Sequence, residues 1–209
     1  MDQPRKILVL ISLAILSFGS QYTLATPTLT VSTSKQVYEY GDFLSVNLQV
    51  SELTGDQIVL HIIDSSDHSS SPIPIQISKL NSTIIAPVPF YKTNYSPGTY
   101  QILAEYSGTK TDISFKLVDS GKIAIPAQYK ILVKSWVEGT YKQEDFAALI
   151  RELINFKIIN VPNYQTQLTS IYVPHWLENN AKWWSDDSIS DDEFGSALQY
   201  LLQKEIISV

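Results

Sequence analysis

Apolar and polar positions along the chain fall into two rhythms that meet near residue 120. From Phe43 to Val50 they alternate strictly, with Leu44, Val46, Leu48 and Val50 on one side and Phe43, Ser45, Asn47 and Gln49 on the other. That is the period of a strand with one buried face. The same period runs through Leu29/Val31, Ile58/Leu60/Ile62, Ile75/Ile77, Ile84/Ala86/Val88, Tyr100/Ile102/Ala104/Tyr106 and Ile113/Phe115/Leu117. Turn residues separate these runs: Tyr40-Gly41-Asp42, Thr54-Gly55-Asp56, a serine-rich stretch from Asp64 to Pro72, Pro97-Gly98 and Ser107-Gly108. Seven or eight short strands without helical interruption predict an antiparallel two-sheet sandwich over residues 26–120.

After Ser120 the apolar spacing changes to three or four, which predicts a small all-α domain over residues 121–209. The fold class is therefore α+β in separate domains. An offset of 48 aligns residues 125–161 with 173–209 without a gap. Pro126, Lys134, Trp136, Phe146, Leu153, Ile158, Ile159 and Val161 then meet identical residues at Pro174, Lys182, Trp184, Phe194, Leu201, Ile206, Ile207 and Val209. Such self-similarity predicts an internal repeat of two helical hairpins, each too small to bury its apolar stripe alone. Ser190-Asp191-Asp192-Glu193 has the form of a capping box, and Phe194, Leu198, Leu201, Leu202 and Ile206 form one stripe behind it.

The first 25 residues read as a signal peptide. Arg5 and Lys6 precede an apolar run from Ile7 to Phe18, and Thr23-Leu24-Ala25 supplies small residues for cleavage. The run is shorter than the ~20 residues of a bilayer span; an uncleaved anchor is the alternative, and the one expected membrane contact. Export places the protein outside the cell or at its surface and gives meaning to two glycosylation patterns, at Asn81 and Asn94. With no Cys, an exported chain must be held by its core rather than by disulfides. The same absence removes thiol catalysis, Cys-ligated zinc and iron–sulfur clusters. A net charge of −6, from 15 basic and 21 acidic residues, argues against nucleic acid as a partner. No cofactor fingerprint is present.

Two resemblances follow from these motifs. Tyr38-Glu39-Tyr40-Gly41-Asp42 and Tyr95-Ser96-Pro97-Gly98-Thr99-Tyr100 resemble signatures of immunoglobulin-like domains of the macroglobulin and adhesin type. That likeness implies a sandwich and no particular task. Val173-Pro174-His175-Trp176-Leu177-Glu178-Asn179-Asn180-Ala181-Lys182-Trp183-Trp184, continuing through Asp191-Asp192-Glu193-Phe194 to Ile206-Ile207, is similar to a helix-hairpin module of exported archaeal envelope proteins. It implies location and fold.

Candidate chemistry is sparse. Ser32-Thr33-Ser34-Lys35 fits a Ser-x-x-Lys pattern but lacks the partner motifs of penicillin-recognising enzymes, and is read as turn chemistry. Asp64, Asp67 and His68 are read as a solvated turn, with metal ligation as the alternative; His61 is read as a strand-face residue. Asp186, Asp187, Asp191 and Asp192, with Glu193, are weak calcium candidates that lack the ordered spacing and glycine of a calcium loop, so capping is the leading reading. Trp184 aligns with Trp136 and is expected in the core. Trp183 aligns with Ser135, so its ring is not demanded by the hairpin; packing on the sandwich is expected, with an exposed binding face as the alternative. Trp176 is the second binding candidate. The leading expectation is a non-catalytic exported envelope protein whose helical repeat mediates packing or association, with an envelope protein, a glycan or a second copy as partner. A carbohydrate- or protein-binding module is the first alternative, and a calcium-dependent or hydrolytic envelope protein the second.

Overall fold

The computed structural model describes residues 26–162, 164 and 171–209; the signal-peptide reading of residues 1–25 lies outside the described residues. Eight strands come first: β1 (Leu29–Thr33), β2 (Val37–Glu39), β3 (Ser45–Val50), β4 (Ile58–Ile63), β5 (Ile73–Ile75), β6 (Asn81–Ile85), β7 (Gly98–Tyr106) and β8 (Thr109–Val118). Four helices follow: α1 (Gln128–Val137), α2 (Gln143–Asn155), α3 (Leu177–Ser185) and α4 (Asp191–Gln203).

The strands form a three-stranded sheet, β1-β3-β6, facing a five-stranded sheet, β2-β8-β7-β4-β5. Alternation buries Val46, Leu48 and Val50 of β3 against Tyr100, Ile102, Ala104 and Tyr106 of β7 in one core. The β7–β8 hairpin turns through Ser107 and Gly108, both with positive φ (47° and 83°), the geometry a two-residue hairpin loop requires. Three details depart from the sequence pattern. β2 runs parallel to β8, so the sandwich is not wholly antiparallel. β6 ends at Ile85, leaving Val88 exposed beyond it. Ile77 is buried although β5 ends at Ile75.

The sandwich motifs act through side chain to backbone bonds. Tyr100 donates its hydroxyl to the carbonyl of Ser96 at 2.8 Å while its ring stacks on Phe115. Tyr40 donates to the carbonyl of Tyr95, and Tyr106 to that of Glu52. Asp42 accepts from the Glu39 amide at 3.0 Å and pairs with Lys35 at 2.9 Å. Partial burial would raise its pKa, but Lys35 and the Glu39 amide outweigh that and hold the carboxyl below the usual range.

The helices bury a second core. The offset of 48 recurs in its geometry: Trp136 stacks on Phe146 (centroids 3.8 Å, 9°), and Trp184 on Phe194 (4.6 Å, 8°). Left-handed residues fall at Gly139 and Asp187, and again at Lys157 and Glu205. The amide of Ile158 donates to Leu153 as that of Ile206 does to Leu201. These left-handed turns correct one detail, because α2 and α4 stop before the Ile-Ile pairs and Ile206 is exposed while Ile207 is buried. Helices α1 and α3 lie side by side, each packed with its own following helix.

Residues 123–125 join the halves by alternation. Ile123 and Ile125 enter the helical core, whereas Ala124 enters the sandwich core beside Gly41. Gly195 of α4 makes room for this segment, since a Cβ there would come within 2.6 Å of Ile123 Cγ2; the aligned residue of the first copy is Ala147. Gly to Ala inside a helix ordinarily gains about 0.5–1 kcal/mol. At this position Gly195→Ala is expected to lower the melting temperature instead. A rise in melting temperature for the variant would show that the join yields freely.

Candidate functional site

The acidic run from Asp186 into the start of α4 places five carboxylates within eight residues, and its partners identify its work. Ser190 caps α4: the Glu193 amide donates to its hydroxyl at 3.2 Å, and Glu193 accepts from the Ser190 amide at 2.7 Å. These two Ser190 donors, amide and hydroxyl, hold the Glu193 carboxyl below its usual pKa. Asp191 accepts from Trp184 Nε1 at 2.8 Å with one oxygen and from the Ile125 amide at 2.9 Å with the other. Asp192 accepts from the Ile123 amide at 2.9 Å. Asp187 pairs with Lys130 of α1, whose Nζ also lies 5.5 Å from the Trp184 ring centroid. Asp186 pairs with Lys182, whose hydrogen bond lowers its pKa.

The four carboxylates proposed as weak calcium ligands therefore serve two backbone amides, an indole and two lysines. Among the described residues, no group of three or more His, Cys, Asp or Glu side chains is placed to hold a metal ion.

The first copy answers with a matching contact. Gln143, aligned with Asp191, donates Nε2 to the carbonyl of Val173 at 2.8 Å, and Val173 aligns with Ile125. Each second helix thus uses its first residue to hold the backbone that leads into the other copy. Sequence reasoning missed both bonds. The usable signal was a polar side chain at the same helix position in each copy, with a proline following each gripped residue.

The two binding candidates lie on α3. Trp184, with Leu177 and Ala181, faces the core. Trp183 is one residue, about 100° of helix, away, and it is 53% exposed rather than packed on the sandwich as expected. Trp176 stands at the N-cap with helical dihedrals and is 48% exposed. Seven residues apart, the two indoles share one face, separated along the axis by about 10.5 Å.

The remaining candidates are occupied or dispersed. Lys35 is paired with Asp42, and Ser34 meets the Tyr38 hydroxyl, so the Ser-x-x-Lys stretch assembles no base on Ser32. Asp64 accepts from the amides of His68 and Ser66, which hold its pKa below the usual range, and its other oxygen faces His68 Nδ1 at 3.3 Å. His61 Nδ1 lies 3.3 Å from the Ser70 carbonyl oxygen. Asn81 is exposed on the edge strand β6, and Thr83 of its tripeptide donates to Asn47. Asn94 is exposed on the rim of a cleft of about 330 Å³ between the sandwich and the helices, lined by Tyr91, Tyr95, Tyr129 and Phe156. Burial there, then Glu152, push the Tyr129 pKa up to about 12.

No protein-family model matches the chain, and no curated protein matches it. Among solved structures, the chain is similar over 48% of its length to an alpha-2-macroglobulin of Escherichia coli activated by porcine elastase, at 14% identity and a TM-score of 0.37, spanning 9% of that chain. A β-glucosidase from Listeria innocua is 11% identical over 44% of this chain and 16% of its own, with a TM-score of 0.29. A PKD domain of an M14-like peptidase from a Thermoplasmatales archaeon is 12% identical over 43% of this chain and 91% of its own, with a TM-score of 0.27. These scores are low, and the sandwich stands on its own two sheets. No helix among the described residues is long and apolar enough to cross a membrane.

Asp191→Ala leaves the Trp184 indole and the Ile125 amide without acceptors and is expected to lower unfolding free energy by about 2–4 kcal/mol. Asp186→Ala, which removes one exposed ion pair, is expected to leave the urea midpoint nearly unchanged. Equal losses would refute this assignment. Because the Glu193 pKa is lower folded than unfolded, its contribution is complete above the unfolded value and disappears as pH falls through the folded one. The stability gap between wild type and Glu193→Ala should therefore close on acidification, as measured by urea titrations across that range.

Proposed function

We propose that the chain is a non-catalytic, exported cell-envelope protein in which an immunoglobulin-like sandwich serves as platform and a duplicated helical hairpin as the association element. The observation that carries this reading is the exposed Trp176–Trp183 face. The aligned positions of the first copy are Gln128 and Ser135, so the hairpin itself does not need either indole. Large aromatics that leave about half of their surface to solvent on one side of a helix are suited to recognition. Export draws on the basic and apolar pattern of residues 1–25. The non-catalytic reading draws on the carboxylates, each of the five acidic residues between Asp186 and Glu193 having a hydrogen-bond or ion-pair partner in the fold.

The test is co-sedimentation of the full chain with an envelope fraction from the source cells. The wild type should pellet with the fraction, and Trp176→Ala/Trp183→Ala should remain in solution with an unchanged melting temperature. A melting temperature lowered as far as that of Trp184→Ala, for which a loss of about 3–5 kcal/mol is expected, would assign the exposed pair to packing instead.

A further inference from the structure

The α3 face carries more than two indoles, and the residues between them narrow what can sit on it. Asn179 and Asn180 lie three and four residues after Trp176 and four and three before Trp183, so they fall between the rings on the same side of the helix. Asn179 is exposed and Asn180 half-buried, which sets two amide-bearing positions between the two tryptophan positions. The aligned residues in the first copy are Ile131 and Leu132. The row of indole, amides, indole thus belongs to the second copy alone.

Charge around the row is paired. His175 meets Glu178 at 2.8 Å, and Lys182 meets Asp186. Residues 173–209 carry two basic and seven acidic side chains, a net −5. Most of those carboxylates are engaged within the fold, and Lys182 of α3 is paired, so the row offers no free cation to a polyanion such as an acidic polysaccharide, nucleic acid or an anionic lipid surface. An occupant that matches is uncharged, offers flat C–H faces to the rings, and offers hydroxyls to amides that both donate and accept. Seven residues of helix set the two indole positions about 10.5 Å apart along the axis, so an extended chain rather than a single sugar would be needed to reach both. A protein helix or a second copy would be served better by continuous apolar side chains, which Asn179 and Asn180 interrupt.

We infer that the Trp176–Asn179–Asn180–Trp183 face of α3 binds an uncharged polysaccharide chain laid along the helix, its sugar rings stacked on the two indoles and its hydroxyls bonded to the two amides. This rests on the association reading above and names its partner chemistry.

Affinity electrophoresis of the full chain in gels containing soluble mixed-linkage β-glucan, galactomannan or arabinoxylan tests it, with polygalacturonate as the polyanionic control. At least one neutral polymer should retard the wild type, and polygalacturonate should not. Trp183→Ala and Trp176→Ala/Trp183→Ala should weaken retardation at least tenfold with melting temperatures unchanged, and Asn179→Ala should weaken it with both rings in place. Failure of every neutral polymer to retard the wild type, undiminished retardation of the double variant, or equal retardation by polygalacturonate would overturn the inference. Should the tryptophan variants instead lose self-association by sedimentation, or envelope co-sedimentation without any glycan effect, the glycan is excluded while the association role survives.

Discussion

The structure depends on a crossed pair of hydrogen bonds at the starts of α2 and α4. Asp191 holds the Ile125 amide, and Gln143 holds the Val173 carbonyl. In both cases the first residue of one copy's second helix satisfies backbone that belongs to the other copy. Neither hairpin therefore completes its own hydrogen bonding, and an unpaired buried amide is costly. The apolar contacts follow the same division. Trp136 and Trp184 each stack on the Phe of their own hairpin, while α1 and α3 close the space between hairpins. Local stacking builds each unit, and exchanged backbone contacts make the two units one body.

Asp191 also connects this body to its neighbours. It also accepts from the indole of Trp184 and lies 4.0 Å from Lys130 Nζ, which sits over that ring while pairing with Asp187. A cluster that resembles a cation site by composition thus acts as a fastening for the segment between strands and helices. Residues 121–172 carry six basic and four acidic side chains, a net +2 against the −5 of residues 173–209, and Lys130 matches part of that difference within the chain.

Much of the architecture was legible because one-sided burial leaves a period. The strict alternation of β3 and the 48-residue offset translated into a sheet face and into matched stacks, since both depend on side-chain size and position. The parallel pairing of β2 was not legible. It joins a three-residue strand to β8, residues far apart in sequence, and leaves no periodic trace in so short a segment. The exposure of Trp183 stood only as the alternative reading for a related reason. Helical phase, set by Leu177, Ala181 and Trp184, decides which of two adjacent tryptophans is buried, and composition suggested that a large aromatic would find cover. The partners of Asp191 and Asp192 were illegible because the backbone amides they accept from sit more than sixty residues earlier, and an amide has no letter in the sequence.

The alternation of Ile123, Ala124 and Ile125 between two cores has a mechanical side. Most joins between compact units are threads that swivel, but this one is gripped on both faces, and Asp191 and Asp192 pin its amides. Tension applied through the sandwich would reach the helices as shear across buried contacts rather than as the peeling of a free end. A pull on the strands is thus expected to load Ile123 and Ile125 in the helical core before the segment between the halves can straighten.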